Sequence, residues 1–183
     1  MKIKNTLARR RKTCYNSYKH SYQQHKKCAK HEGRTDFMSI SSIDFATYLS
    51  MRARREGKFV NVTKIQKWLY ICYGLHLATT GETLFDERPI HMQFGPFFSS
   101  VHLVQKEYDN DFSSLEKRLT YADFSQYDEI INTTIEYFGD LTASSLVDWT
   151  HEEGKAWEKA DKFMPLDLEN IRRDFMEIIV NED

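Results

Sequence analysis

Between Asn61 and Gly81 the chain reads VTKIQKWLYICYGLHLATT, a stretch free of proline with one internal glycine. Ile65, Trp68, Leu69, Cys72 and Leu75 recur every three or four residues, with His76 beside them. That is the period of an α-helix, and it predicts one long helix with this face buried. Thr63 suits an N-cap, Gln66 three residues on completes a capping box, and Gly81 stops the helix. A helix carrying this much aromatic surface cannot stand alone in water, so the rest of the chain must be built around it. Seven glycines and three prolines in 183 residues are too few for the many turns of an all-β fold. The expectation is a mainly α, compact multi-helix domain.

The flanking sequence supplies the partners. Ser42 suits an N-cap for a helix whose face is Ile43, Ala46, Leu49 and Ala53, ended by Gly57. Thr83–Phe85 and Ile90–Phe94 alternate around Asp86-Glu87-Arg88-Pro89, which predicts a small β-hairpin element. Gly95-Pro96 then breaks the chain, and Pro96 fits the first turn of a helix through Val101, Val104 and Tyr108. Residues 109–125 read as a polar surface loop. Tyr127, Ile130, Ile131, Thr134, Ile135 and Phe138 form the next helical stripe, closed by Gly139. Thr142 caps a short helix through Trp149, a further helix is expected over Glu153–Lys162, and Asp167 caps the last one, whose face is Leu168, Ile171, Phe175, Ile178 and Ile179.

Charge divides the chain in two. Residues 1–37 carry eleven Lys or Arg against Glu32 and Asp36, whereas residues 38–183 carry 15 basic and 25 acidic residues. The first part reads as a basic N-terminal arm, disordered or helical on binding a partner, and the second as the folded domain. Met38 opens a stretch that reads as a domain start. Within the arm Tyr15, Tyr18, Tyr22, His25 and Ala29 share one helical stripe surrounded by Lys and Arg. Such an arm can neutralise phosphates and stack bases, so nucleic acid is one partner to weigh. Docking on an acidic protein, or on the acidic domain itself, is the other. Cys14, His20, His25, Cys28 and His31 are zinc-ligand types, but their spacing matches no familiar finger, and no metal or other cofactor is expected.

The folded part lacks a Gly-rich phosphate loop, an HExxH pair and a G-x-S-x-G elbow, and His91, His102 and His151 are spaced for no particular acid–base site. The expectation is a protein without catalysis. Trp68, Trp149 and Trp157 fall on apolar stripes and read as core. Phe97 and Phe98 are adjacent, so one of them beside the Gly95-Pro96 break is free to anchor a partner. Three cysteines, one inside an apolar run, argue against a disulfide framework. No segment approaches the roughly twenty apolar residues of a membrane span. The cytoplasm is the expected compartment. Nothing in the sequence selects an oligomeric state.

Several separated motifs, in order, carry a resemblance. They are Ile65-Gln66-Lys67-Trp68-Leu69-Tyr70, Gly74-Leu75-His76-Leu77, Gly81 with Leu84-Phe85, Phe94-Gly95-Pro96, Tyr137-Phe138-Gly139-Asp140-Leu141-Thr142-Ala143, and then Leu146, Thr150-His151 and Ala156-Trp157. From about Ile40 to Lys162 the chain resembles the Panacea, or SocA-like, antitoxin domain. It departs from the family pattern at Phe97, where Val is usual, and at Ala156, where Pro is usual. The resemblance implies a mainly helical domain with a small β element and no catalytic activity. It also implies an antitoxin that neutralises a cognate protein toxin by direct contact, the toxin being encoded beside it, often on a phage or mobile element. One family member is similar to an adaptor that delivers its toxin to a protease. On this reading the partner-binding residues are Tyr15, Tyr18, Tyr22, Phe94, Gly95, Pro96, Phe97 and Phe98. The second reading is a nucleic-acid-binding regulator acting through the basic arm.

Overall fold

A computed structural model describes residues 40–108, 113, 115, 116, 119 and 123–180. The basic arm with Tyr15, Tyr18 and Tyr22, its Cys and His residues, and most of the expected 109–125 loop lie outside the described residues. Six α-helices and one two-stranded hairpin make up the described fold: α1 Ser42–Arg55, α2 Val62–Thr80, β1 Ile90–Met92, β2 Gly95–Phe97, α3 Ser99–Glu107, α4 Asp128–Phe138, α5 Ala143–Thr150 and α6 Leu168–Val180. The mainly helical expectation holds. No helix among the described residues is long and apolar enough to cross a membrane.

Helix α2 is the axis on which the others pack: α1, α3, α4, α5, α6 and the hairpin all touch it. It is buried on nearly every side, not along the single stripe expected, because Lys64, Gln66, Lys67, Tyr70, Ile71 and Tyr73 are buried with the apolar face. Its N-cap is Asn61, not Thr63: the Asn61 side chain accepts a hydrogen bond from the Lys64 amide at 2.8 Å, which places Thr63 inside the first turn. Gly81, at φ +76°, closes the far end as expected. Ser41 rather than Ser42 caps α1, and Phe45 joins Ala46, Leu49 and Ala53 in its buried face.

The buried polar residues of α2 serve as struts to backbone groups that neighbouring elements leave open. The C-terminal carbonyls of a helix have no partner within it. Lys64 Nζ donates to Gly139 O at 2.7 Å and Trp68 Nε1 to Phe138 O at 3.2 Å, so two open carbonyls at the end of α4 are satisfied from α2. Gln66 does the same at the start of α3. Its Oε1 accepts from the Phe98 amide at 2.8 Å, in place of the side-chain cap that Phe98 cannot provide.

The hairpin differs from the expected one. Ile90 pairs with Phe97, His91 with Pro96 and Met92 with Gly95, so Gln93-Phe94 is a two-residue loop and Thr83–Phe85 is not a strand. Pro96 sits in β2, and α3 opens only at Ser99. Proline is tolerated there because His91 turns its backbone groups the other way: its amide donates to Met164 O and its carbonyl accepts from Phe163 N. Residues 151–165 are turns, not the helix expected over Glu153–Lys162. They are pinned from outside, the Ala156 amide donating to Asp174 Oδ2 at 2.6 Å and Trp157 Nε1 to Met92 O at 2.9 Å.

Candidate partner-binding groove

The two strongest sequence motifs meet in space. Gln66 and Lys67 are consecutive on α2, and both reach the strand that carries Gly95-Pro96. Gln66 brackets Phe98 with an acceptor to its amide and a donor to its carbonyl at 3.2 Å. Lys67 Nζ donates to Pro96 O at 2.8 Å. The lysine is 2% exposed, and burial pushes its amine down to about 7. Gly95 permits this close approach: it has φ +90°, and a Cβ there would lie 2.5 Å from Thr150 Oγ1 and 2.9 Å from Lys67 Nζ.

In front of this junction lies a groove of about 290 Å³, lined by the first turns of α2, by the hairpin from Met92 to Phe97, and by His102 of α3. Phe94 projects from the hairpin loop and is 64% exposed. Phe97 is half-buried and its ring tilts against His102 at 4.9 Å. Leu103, the next residue on α3, is exposed. Behind the hairpin two of the three histidines that sequence spacing left scattered are gathered, while His102 stays in the groove against Phe97. His91 and His151 both stack on the Trp157 ring, with centroids at 4.3 and 3.6 Å and interplanar angles of 14° and 12°. Burial first, then Lys67 and His91, lower the His151 pKa, while Asp148 opposes them. A shelf of stacked rings therefore supports the strand from which Phe94 is displayed.

Of the expected partner-binding residues, the structure brings Phe94, Gly95 and Phe97 to the groove. Pro96 is buried, its carbonyl serving Lys67. Phe98 is fully buried and packs on Tyr73 and Phe85, so it belongs to the core and presents no surface. Its expected place among the partner-binding residues is corrected accordingly. Tyr15, Tyr18 and Tyr22 lie outside the described residues. Lys67, Gln66, Met92 and His102 line the groove as well and were not among the expected partner-binding residues. The signal for Lys67 was a cation directly before the apolar and aromatic run from Trp68 to Tyr73, which the amphipathic reading assigned to solvent.

A family model described as the antitoxin SocA-like, Panacea domain matches residues 65–158, a little over half of the chain. The chain belongs to this family. No curated protein and no solved structure matches it. The matched span holds both halves of the Lys67–Pro96 junction, the hairpin and the His–Trp–His stack of the Panacea domain. It leaves out α1 and α6, although α6 packs directly on α2. Cys72 lies within it as a buried thiol pushed up to about 12 by burial, which makes it an inert packing residue.

Proposed function

We propose that this protein is an antitoxin that neutralises a cognate protein toxin by direct binding, without chemistry of its own, and that the groove beside the hairpin loop is its main contact. Family membership supports the antitoxin class. The observation that carries the choice of surface is Phe94, a large aromatic displayed to solvent on a loop whose base is tied to buried α2. An exposed aromatic on a fixed frame loses little conformational freedom on binding, which is what an interface anchor needs. Phe97 and Leu103 extend the apolar area on either side of His102, whereas Phe98 only supports it from the core. The basic arm with Tyr15, Tyr18 and Tyr22 is a second contact zone, suited by charge to an acidic surface on the partner. The protein acts in the cytoplasm on this reading, next to a toxin made from the adjacent reading frame.

Co-expression of the chain with the neighbouring open reading frame tests this. The neighbour alone should arrest growth, and the pair should grow and co-purify as a complex. A harmless neighbour, or rescue without any complex, would overturn direct neutralisation. Deleting residues 1–37 separates the two zones: rescue should persist in weakened form if the groove is the main contact. Complete loss of rescue from a soluble, folded truncation would instead place the main contact in the arm.

A further inference from the structure

The groove holds more polar chemistry than an aromatic anchor uses. Val62 and Thr63 are the first residues of a 19-residue helix with no acidic residue in its first turn. Asn61 caps only the Lys64 amide, so the amides of Val62 and Thr63 have no helical acceptor and present the positive end of the helix to the groove. Lys67 stands one turn further along the same face. An ammonium has three donors. Among the described residues the buried Lys67 amino group spends one, on Pro96 O, and forms no ion pair. His102 Nδ1 is also buried without a hydrogen-bond partner among the described residues. The lining residues include no Asp or Glu, in a folded part where 25 acidic residues outnumber 15 basic ones. The groove is thus a local patch of unspent donors set in an acidic domain, with apolar walls from Val62, Met92, Phe94 and Phe97.

A buried amino group gives up its proton readily unless an anion pairs with it, so a bound carboxylate would hold Lys67 in the ammonium form that has donors to spare. At about 290 Å³ the space is at the lower end for ligand pockets and suits one side chain or a small acid, not a nucleotide. One amino group with no arginine suits a monoanion better than a phosphate dianion, which needs more donors than these walls provide. We propose that the groove is a receptor for a carboxylate carried on an apolar stem, presented by an acidic side chain of the bound toxin. The carboxylate pairs with Lys67 and the first amides of α2, and its stem packs between Phe94 and Phe97. That the toxin supplies it rests on the function proposed above; the receptor itself does not.

The full-length protein, isotopically labelled for NMR, is titrated with 4-phenylbutyrate, 4-phenylbutanol and 4-phenylbutylphosphonate at pH 7. The carboxylate is expected to bind at least about tenfold more tightly than the alcohol, as one charge-assisted hydrogen bond allows. It should move the resonances of Val62, Thr63 and Gly95, and Lys67→Met should bring carboxylate and alcohol to parity. Parity in the unaltered protein, shifts elsewhere, or discrimination that survives Lys67→Met would overturn the receptor. Tighter binding of the phosphonate would overturn its assignment to carboxylates. If Lys67→Met does not fold, the three ligands on the unaltered protein decide. Growth rescue by a folded Lys67→Met then tests the source. Full rescue alongside lost phenylbutyrate binding would overturn the toxin as its supplier while leaving the receptor intact. Failure of the unaltered protein to rescue would count against the antitoxin reading alone.

Discussion

The two halves of α2 are buried to the same degree by different forces. In the C-terminal half, burial is apolar contact: Gly74 leaves a notch that the Phe175 ring of α6 fills, and Tyr70, Trp149 and Phe175 meet at 5.5–6.5 Å. In the N-terminal half, Lys64, Gln66 and Lys67 are buried because each has a backbone group to hold. The first kind of burial tolerates little change of volume. The second is a set of directed bonds, sensitive to protonation, and it positions a surface. In this molecule the candidate site sits on the half held by directed bonds, while the half held by packing makes the platform.

If that division is right, the largest cost should come from the packed half. Phe175 is 1% exposed, and Phe175→Ala should destabilise the protein by about 3–5 kcal/mol in urea unfolding. Gly74→Ala alone should cost about 1–3 kcal/mol, since its methyl would overlap the Phe175 ring. Added to Phe175→Ala, it should cost nothing or recover some stability, because the cavity accepts the methyl and alanine is the better helix former by about 1 kcal/mol. Additive losses in the double variant would break the claim that the two residues share one packing site.

Gly95→Ala should cost about 1–3 kcal/mol, a smaller amount, for a residue forced to φ +90° with a Cβ against Thr150 and Lys67. It should also weaken neutralisation, because Lys67 must move from Pro96. A variant with normal stability and full rescue would show that the junction does not hold the hairpin in place.

Titration separates the halves further. Lys67 in the fold is pushed from 10.5 down to about 7 by burial, so between these values the unfolded chain binds more protons than the folded one. Stability therefore rises with pH through this window. The lowered His151, which feels Lys67 and His91, acts in the same direction at lower pH. The Cys72 thiol, whose ordinary value is 9.0, and Tyr73 and Tyr127, ordinarily at 10.0, are all raised to about 12 and reverse the trend in more alkaline solution. Thermal unfolding should climb from pH 7 towards pH 9 in the unaltered protein and lose most of that climb in Lys67→Met. An identical climb in both would show that Lys67 is not the group responsible.

Apolar burial, in both halves of α2, was the more legible in sequence. Ile65, Trp68, Leu69 and Cys72 were found because apolar residues at helical spacing report burial directly, and the α4 stripe from Tyr127 to Phe138 was read without error for the same reason. Lys64, Gln66 and Lys67 were missed because a polar side chain carries no mark of whether a distant carbonyl awaits it. The hairpin was displaced for a related reason. Local chemistry favours Pro96 in a helix start, and only the backbone of residues 163–164, far along the chain, lets it sit in a strand opposite His91. Phe98 was drawn to the surface by its neighbour Phe97; in the extended backbone that runs from β2 into the cap of α3 the two point to opposite faces, one to the groove and one to the core.

The smallest effect on stability should accompany one of the largest on function. Phe94 is 64% exposed on the hairpin loop, its backbone fixed from below by Met92 and Gly95 pairing. Phe94→Ser removes surface that is already in water, so unfolding should change by less than about 0.5 kcal/mol. An aromatic anchor at the centre of an interface typically accounts for at least about 2 kcal/mol of binding, so the affinity for the toxin should fall roughly thirtyfold and growth rescue with it. Leu103→Ser, equally exposed on α3 but beyond His102, should weaken binding less. If Leu103 proves the stronger of the two, the partner sits on α3 and the hairpin is only its frame; if Phe94 dominates, the partner approaches along the groove, over the unspent donors of Lys67 and the first turn of α2.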